Sequence, residues 1–318
     1  MIFERLMFVE HKTEQLVDSI IESYKSHEGM CRIDEDNMIN KEIIIEVIER
    51  IRRILFPGYF DNSKIRSEYI RFIVGEHLEF VQYNLRKQIA RALGSGDECF
   101  ECPKSTLVDS ADGITNRFLE KIPSIREYLY TDVQAAFDGD PAASSTDEII
   151  FSYPGLYAVT VYRIAHELHL LNVPMIPRIM TEHAHSLTGI DIHPGATIGK
   201  HFFIDHGTGI VVGETTVIGD NVKIYQGVTL GALSTRKGQD LRGVKRHPTI
   251  GNNVTIYSET SILGGETVIG DGATIGGNTF IVSSVSAGMK VSVKNPELQF
   301  TGGAQDELKQ GEFWDWVI

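Results

Sequence analysis

Along the first half of the chain the apolar positions recur at helical spacing. Ile44, Val47, Ile48, Ile51 and Leu55 fall on one face, and Glu46, Glu49, Arg52 and Arg53 on the other. That stripe predicts an amphipathic helix. Similar stripes run through 63–93, 114–137 and 155–171, with breaks at Pro57-Gly58, Gly94-Ser95-Gly96 and Pro141, where glycine and proline punctuate helices. Residues 1–189 are therefore expected to form an α-helical domain whose Ile, Leu, Phe and Tyr stripes make core or subunit contacts.

After Gly189 the period changes. Ile192, Ile198 and Ile204 are six apart, as are Val212, Ile218, Ile224 and Leu230, then Ile250, Ile256 and Ile262, then Ile269, Ile275 and Ile281. Six is the period of neither a helix nor a hairpin. One aliphatic residue per hexad, with small or polar residues between, suits a triangular β-helix in which each hexad forms one side and points its aliphatic side chain inward. Three hexads close a coil, so about four to five coils stack, each burying its neighbour's aliphatics.

The phase breaks at three places. Two residues are added within Asp205-His206-Gly207-Thr208-Gly209, a long excursion separates Leu230 from Ile250, and one residue is added at Gly264-Gly265. A regular scaffold tolerates irregularity mainly where function sits.

Composition narrows the function classes. The 318 residues are 42% apolar and 23% charged, ordinary for a folded chain of two domains. A net charge of −13 argues against nucleic acid, which needs a clustered basic surface. Glu4, Arg5, Glu10 and His11 interrupt the apolar N-terminus before a signal-peptide core forms, and no run is long enough to span a bilayer. A cytoplasmic location is expected. Cys31, Cys99 and Cys102 make no disulfide framework; the Cys99-Phe-Glu-Cys102 spacing lacks the second ligand pair of a zinc site and the βαβ context of a redox motif.

The chemistry-bearing residues gather at the first two breaks: Asp205, His206 and Glu214 around the bulge, Arg246 and His247 where the excursion returns, and Asp191 earlier. The glycines beside His206 let the backbone bend and a ligand approach closely. Asp191 precedes His206 by 15 residues, close to one coil, so its carboxylate is expected about one coil below, where it would hold the imidazole and stabilise its protonated form.

Asp191-Ile-His-Pro, Asp205-His206-Gly-Thr-Gly-Ile-Val-Val-Gly-Glu214-Thr, Gln226-Gly-Val-Thr-Leu-Gly231 and Arg246-His247-Pro248 resemble the core of the serine O-acetyltransferases. The likeness reaches upstream to Asp138-Gly-Asp140-Pro-Ala and Tyr162-Arg-Ile-Ala-His166, and covers the first 120 residues only in helical character. The resemblance implies an α+β chain: a helical domain (1–189), a left-handed parallel β-helix (190–287) and a C-terminal tail (288–318). It implies acetyl transfer from acetyl-CoA to the hydroxyl of L-serine, with no metal, His206 as general base and Asp191 as its partner. Asp140 and Asp205 would grip the ammonium, and Arg246 and His247 the carboxylate side, with Glu214 beside them. A planar guanidinium fork suits a carboxylate.

Acetyl-CoA is expected along Gly231, Ala232, Tyr257 and Ser258, in a groove between neighbouring solenoids of a homotrimer or a dimer of trimers. Where the family has a Gly-Ala rung, this chain has Tyr257-Ser258-Glu259, and its excursion is longer than is usual in bacterial members. Lys237, Arg242 and Lys245 in the excursion read either as coenzyme-phosphate contacts or as solvated charges. The resemblance further implies L-cysteine as a feedback inhibitor at the serine site, and O-acetylserine sulfhydrylase as a partner reached through the terminal Ile318; the alternative for the tail is that its aromatics fold back on the protein. Three other readings stay open. Another hexapeptide-repeat acyltransferase would take a sugar or a different amino acid. A γ-type carbonic anhydrase would need three converging imidazoles drawn from His183, His185, His193, His201 and His206. The solenoid alone could serve as an assembly platform.

Overall fold

All thirteen inward positions of the hexad repeat are buried, none more than 8% exposed. They lie on short parallel strands that stack into three faces. The computed structural model describes residues 2–33, 38–61, 64–94, 104–234, 236, 238–241 and 243–294. The first face carries β1 (Asp191–Ile192), β4 (Val211–Val212), β7 (Thr229–Gly231), β10 (Ser261–Leu263) and β13 (Phe280–Ile281). The second carries β2 (Thr197–Ile198), β5 (Val217–Ile218), β8 (Thr249–Ile250) and β11 (Val268–Ile269). The third carries β3 (Phe203–Asp205), β6 (Lys223–Tyr225), β9 (Thr255–Ile256), β12 (Thr274–Ile275) and β14 (Lys290–Val291).

Register follows the hexads: Ile192 pairs with Val212 and Val212 with Leu230, Ile198 with Ile218, and Ile204 with Ile224. Each column is a continuous aliphatic stack, and a one-residue slip would turn it outward.

The edge between the second and third faces is built differently from the others. Asp220 Oδ1 accepts from Lys200 N–H (2.7 Å), Asn252 Oδ1 from Asp220 N–H (2.8 Å), and Asp271 Oδ1 from Asn252 N–H (2.7 Å). A Cβ on Gly199 would lie 2.3 Å from Asp220 Oδ1, and one on Gly251 2.3 Å from Asp271 Oδ1. The missing side chains at these glycines make room for this ladder.

The helices form two compact units with the rest of the chain, Met1–Met38 and Ile39–Ile318. The first contains α1 (Ile2–Ser26), with Leu16, Val17, Ile20, Ile21 and Tyr24 exposed. The second contains α2 (Lys41–Leu55), α3 (Ile70–Gly94), α4 (Lys104–Leu119), α5 (Ile122–Gly139), α6 (Thr146–Ser152), α7 (Pro154–Leu170) and α8 (Ile176–Thr188). On α2 the predicted stripe is the buried one, and Asn40 Oδ1 caps it by accepting from Ile43 N–H (3.0 Å), as short polar N-caps do. The stripe read as one element over 114–137 is two helices. It breaks at Glu120-Lys121, ahead of Pro123 in the first turn of α5, where a missing N–H costs nothing.

Helix α7 is buried along most of its length and lies against the first coil. Arg163 donates from Nε and Nη2 to Asp132 of α5 (2.6 and 2.8 Å) and from Nη2 to Gly199 O (2.8 Å); Asp132 Oδ1 also accepts from Phe202 N–H (3.0 Å). A buried ion pair thus joins two helices to the solenoid. Helix α8 ends at Gly189 in the left-handed region (φ 70°), where β1 can begin, a common helix stop. Among the described residues, no helix is long and apolar enough to cross a membrane. Cys99, Cys102, Lys237, Arg242 and Ile318 lie outside the described residues.

Candidate active site

The bulge stands at the edge between the third and first faces. His206 has φ 58° and Gly207 φ 95°. A Cβ on Gly207 would lie 2.5 Å from Ile190 Cδ1, and Gly209 N–H donates to Gly189 O (2.9 Å). The bulge therefore sits directly on the segment that enters β1, which a larger residue at Gly207 would prevent.

Around it gather Asp205, Lys223, Asp140 and Tyr153. The His206 side chain is 65% exposed and its Nδ1 lies 3.9 Å from Asp205 Oδ1. Lys223 Nζ lies 3.3 Å from Asp205 Oδ2 and donates to Gly139 O (2.6 Å). Asp140, the C-cap of α5, accepts from the Tyr153 hydroxyl (2.5 Å) and from Ala142 N–H (2.8 Å). Those two bonds hold the Asp140 carboxyl below the usual carboxylate range, while burial and the same Asp140 contact push the Tyr153 hydroxyl up. Asp191 opens β1 beneath Val211, at the foot of the same edge; its Oδ1 lies 3.6 Å from Arg178 Nη1. Fifteen residues fall short of a full coil here, so Asp191 lies just around the edge from His206 on the first face.

Arg246 and His247 stand at a different edge, between the first and second faces. The Arg246 guanidinium bonds Glu214 and donates to Leu241 O (3.0 Å). Burial alone would raise the Glu214 carboxyl; the Arg246 hydrogen bond and charge bring it below its ordinary value. His247 is buried, and its Nδ1 accepts from Thr215 N–H (3.0 Å). Burial, and then the Arg246 charge, lower its pKa to about 4, so the ring is neutral with its proton on Nε2. His193, lowered to about 4 chiefly by burial, stands near His169 with ring centroids 6.2 Å apart. A Cβ on Gly213 would strike His247 Cδ2 at 2.1 Å, so the glycine makes space for the imidazole.

The structure thus brings the predicted residues together as two half-sites. Asp140, Asp205 and His206 share one edge; Glu214, Arg246 and His247 share another, and the first face lies between them. A six-residue side spans about 20 Å at strand rise, so one chain does not close the two halves on one small molecule. Gly231 and Ala232 begin the excursion at the Arg246 edge. Tyr257 and Ser258 lie at the His206 edge, where Tyr257 stacks on Tyr225 (5.0 Å, 25°). Lys245 Nζ donates to Thr215 O (2.6 Å) and Pro248 O (3.2 Å), clasping the base of the excursion instead of extending from it. Tyr153, Lys223, Thr215 and His169 were not singled out from sequence, and His193 only as a candidate zinc ligand. Lys223 and Tyr225 flank an inward Ile224, and that outward position beside a hexad aliphatic was the available signal.

Among the described residues, no three imidazoles converge within one chain as a zinc site requires. His193, His201 and His206 occupy three different edges. Among the described residues, Glu182, His185 and Asp191 bring ligand atoms within 4.8 Å of one another. Arg178 already bonds Glu182 and lies beside Asp191, so a cation is present there in the form of a guanidinium.

A helical segment leading into a left-handed β-helix of about five coils defines a hexapeptide-repeat protein. The chain is 42% identical over 273 residues to a serine acetyltransferase, designated plasmid, of Synechococcus elongatus, covering 83% of this chain and 85% of that protein. The chain belongs to the serine acetyltransferase family. It is also 45% identical over 157 residues to the serine acetyltransferase of Bacillus subtilis, covering 49% of this chain and 69% of that one. Among solved structures it resembles serine acetyltransferase isoform 3 of Entamoeba histolytica in complex with cysteine, with TM-score 0.68 and 37% identity over 81% of this chain and 84% of that one. Serine acetyltransferase 1 of the same organism, in complex with L-cysteine, gives TM-score 0.67 and 36% identity over 82% and 93%. Comparison with protein-family profiles gives no match.

Proposed function

We propose that the chain acetylates the hydroxyl of L-serine with acetyl-CoA, and that each serine site is completed by two copies of the chain, the His206 edge of one facing the Arg246 edge of the next. The observation that carries this reading is the splitting of complementary charge between two edges of one solenoid. Asp140 and Asp205 suit an ammonium, Arg246 and His247 suit a carboxylate, and a zwitterion needs both. A cyclic trimer brings one edge of each copy against the other edge of its neighbour.

In this site His206 takes the proton from the serine hydroxyl as the oxygen attacks the thioester carbonyl carbon. The exposed imidazole turns toward Asp191, at the foot of the same edge, which stabilises the imidazolium. The tetrahedral adduct collapses, the carbon–sulfur bond breaks, and the imidazolium returns its proton to the departing CoA thiolate. No acyl-enzyme forms. Backbone N–H groups near Gly231 bind the oxyanion, and Ala232, Tyr257 and Ser258 line the groove between copies that receives acetyl-CoA. The enzyme works in the cytoplasm without a metal, L-cysteine competes at the serine site, and Ile318 engages O-acetylserine sulfhydrylase. Titrating that enzyme with a peptide of this chain's last residues tests the partnership, and an unaltered sulfhydrylase would end it.

His206→Ala should lower kcat by about 10²- to 10⁴-fold while the oligomer persists in analytical ultracentrifugation. Near-normal turnover in that variant would sink the mechanism. Release of CoA with serine, threonine, homoserine and a sugar as acceptors separates serine from the other acyltransferase readings.

A further inference from the structure

Within the ammonium half-site one basic group lies where no attraction to a cationic ligand requires it. Lys223 projects outward from β6, in register with Phe203 of β3. Its side chain is only 20% exposed. The ammonium lies over the rings of Phe203 and Tyr225, at 4.9 and 4.6 Å from their centroids, and these faces attract a cation. It donates to Gly139 O at the last turn of α5 (2.6 Å) and lies 3.3 Å from Asp205 Oδ2. The negative end of the helix favours a cation there. Gly139 precedes Asp140, so a single side chain spans from the backbone beside one carboxylate to the other carboxylate itself. A Cβ on Gly139 would meet Phe203 Cδ1 at 2.9 Å, so the same glycine keeps α5 close enough for the bridge.

We propose that Lys223 is a positioning and specificity-determining residue: it fixes the spacing of Asp140 and Asp205 and cancels one of their two charges. The half-site then carries a single net negative charge, matched to an amino acid with one ammonium and an uncharged side chain. An isosteric acceptor with a second ammonium in place of the hydroxyl is rejected, because only one carboxylate's worth of charge remains to receive it. This inference rests on the reading of Asp140 and Asp205 as the ammonium-binding pair.

The test compares L-serine with L-2,3-diaminopropionate, at a pH low enough to protonate the second amine, by calorimetric binding to the intact oligomer. In Lys223→Met, diaminopropionate should gain about tenfold over serine relative to the unsubstituted protein, the scale set by removing one unit charge a few ångströms away under screening between that of water and of a protein surface. Lys223→Arg keeps the charge and should keep the original ratio. A general loosening of the fold would weaken both ligands together and leave the ratio unmoved. An unchanged ratio in Lys223→Met overturns the proposal if Asp140→Asn and Asp205→Asn still weaken serine. If those two variants bind serine normally, the ammonium reading itself is what fails.

Discussion

Replacing Arg163 by Met should be among the most damaging single changes in the helical segment. The guanidinium makes two bonds to Asp132, at 2.6 and 2.8 Å, and two to the first coil, at Gly199 O (2.8 Å) and Ile198 O (3.3 Å). The paired side chains are 6% and 1% exposed. Met fills much of the volume but leaves the Asp132 carboxylate with the Phe202 N–H and no countercharge. Removing one partner of a buried pair costs about 3–5 kcal/mol, which in urea lowers the unfolding midpoint by about 1–2.5 M for a slope near 2–3 kcal/mol/M. Urea titration followed by far-ultraviolet circular dichroism measures it, and amide hydrogen exchange should report the opening in α5 and the first coil. The double variant Arg163→Met, Asp132→Asn removes the stranded charge and should recover part of the loss. A single-variant cost below about 1 kcal/mol, or a double variant worse than the single, would refute the claim that this pair is what joins helices to solenoid.

Two further outcomes follow from the Arg246 edge. His193 and His247 are held near pKa 4 in the fold, first by burial and then by Arg178 and Arg246 respectively, whereas an unfolded imidazole titrates near 6.5. The unfolded chain therefore binds more protons between those values, so stability falls as pH drops from about 6.5 toward 4, by about 1–3 kcal/mol per ring after screening. Urea midpoints across that range measure this, and His247→Asn should flatten the dependence; a slope unchanged by that substitution would count against it. Gly213→Ala places a methyl 2.1 Å from His247 Cδ2, and forcing that ring aside should cost about 1–3 kcal/mol and raise the KM for serine. Normal kinetics with normal stability would show that the ring has room to give.

The solenoid was legible because its sequence period reports one inward position per side, and each of those positions is buried. The bulge was legible as two residues too many between Ile204 and Val212. The helix boundary at 119–122 was hidden, since Phe118, Ile122 and Ile125 keep an apolar rhythm across it. The site residues were legible as types, but their distribution over two edges was not taken from the string. Phase counting could have given it: His206 follows Ile204 of the third face by two, and Glu214 follows Val212 of the first face by two. Equal offsets on successive sides mean successive edges. The Tyr153–Asp140 bond and the Lys223–Gly139 bridge were beyond reach, because α5, α7 and β6 meet through packing, the partners of the second being 84 positions apart in the chain.

The excursion between β7 and β8 departs at Gly231 and returns at Thr249, where other coils turn the same edge in a few residues. Its base is clasped by Lys245 to Thr215 O and Pro248 O, and by Arg246 to Glu214. Since the clasp belongs to the return leg, what lies beyond it can lengthen, shorten or change composition without moving a rung. The loop is in effect an interchangeable fitting on a fixed frame, so adjustments made there would change what the excursion presents while the anchored charges at its root stay where the coils put them.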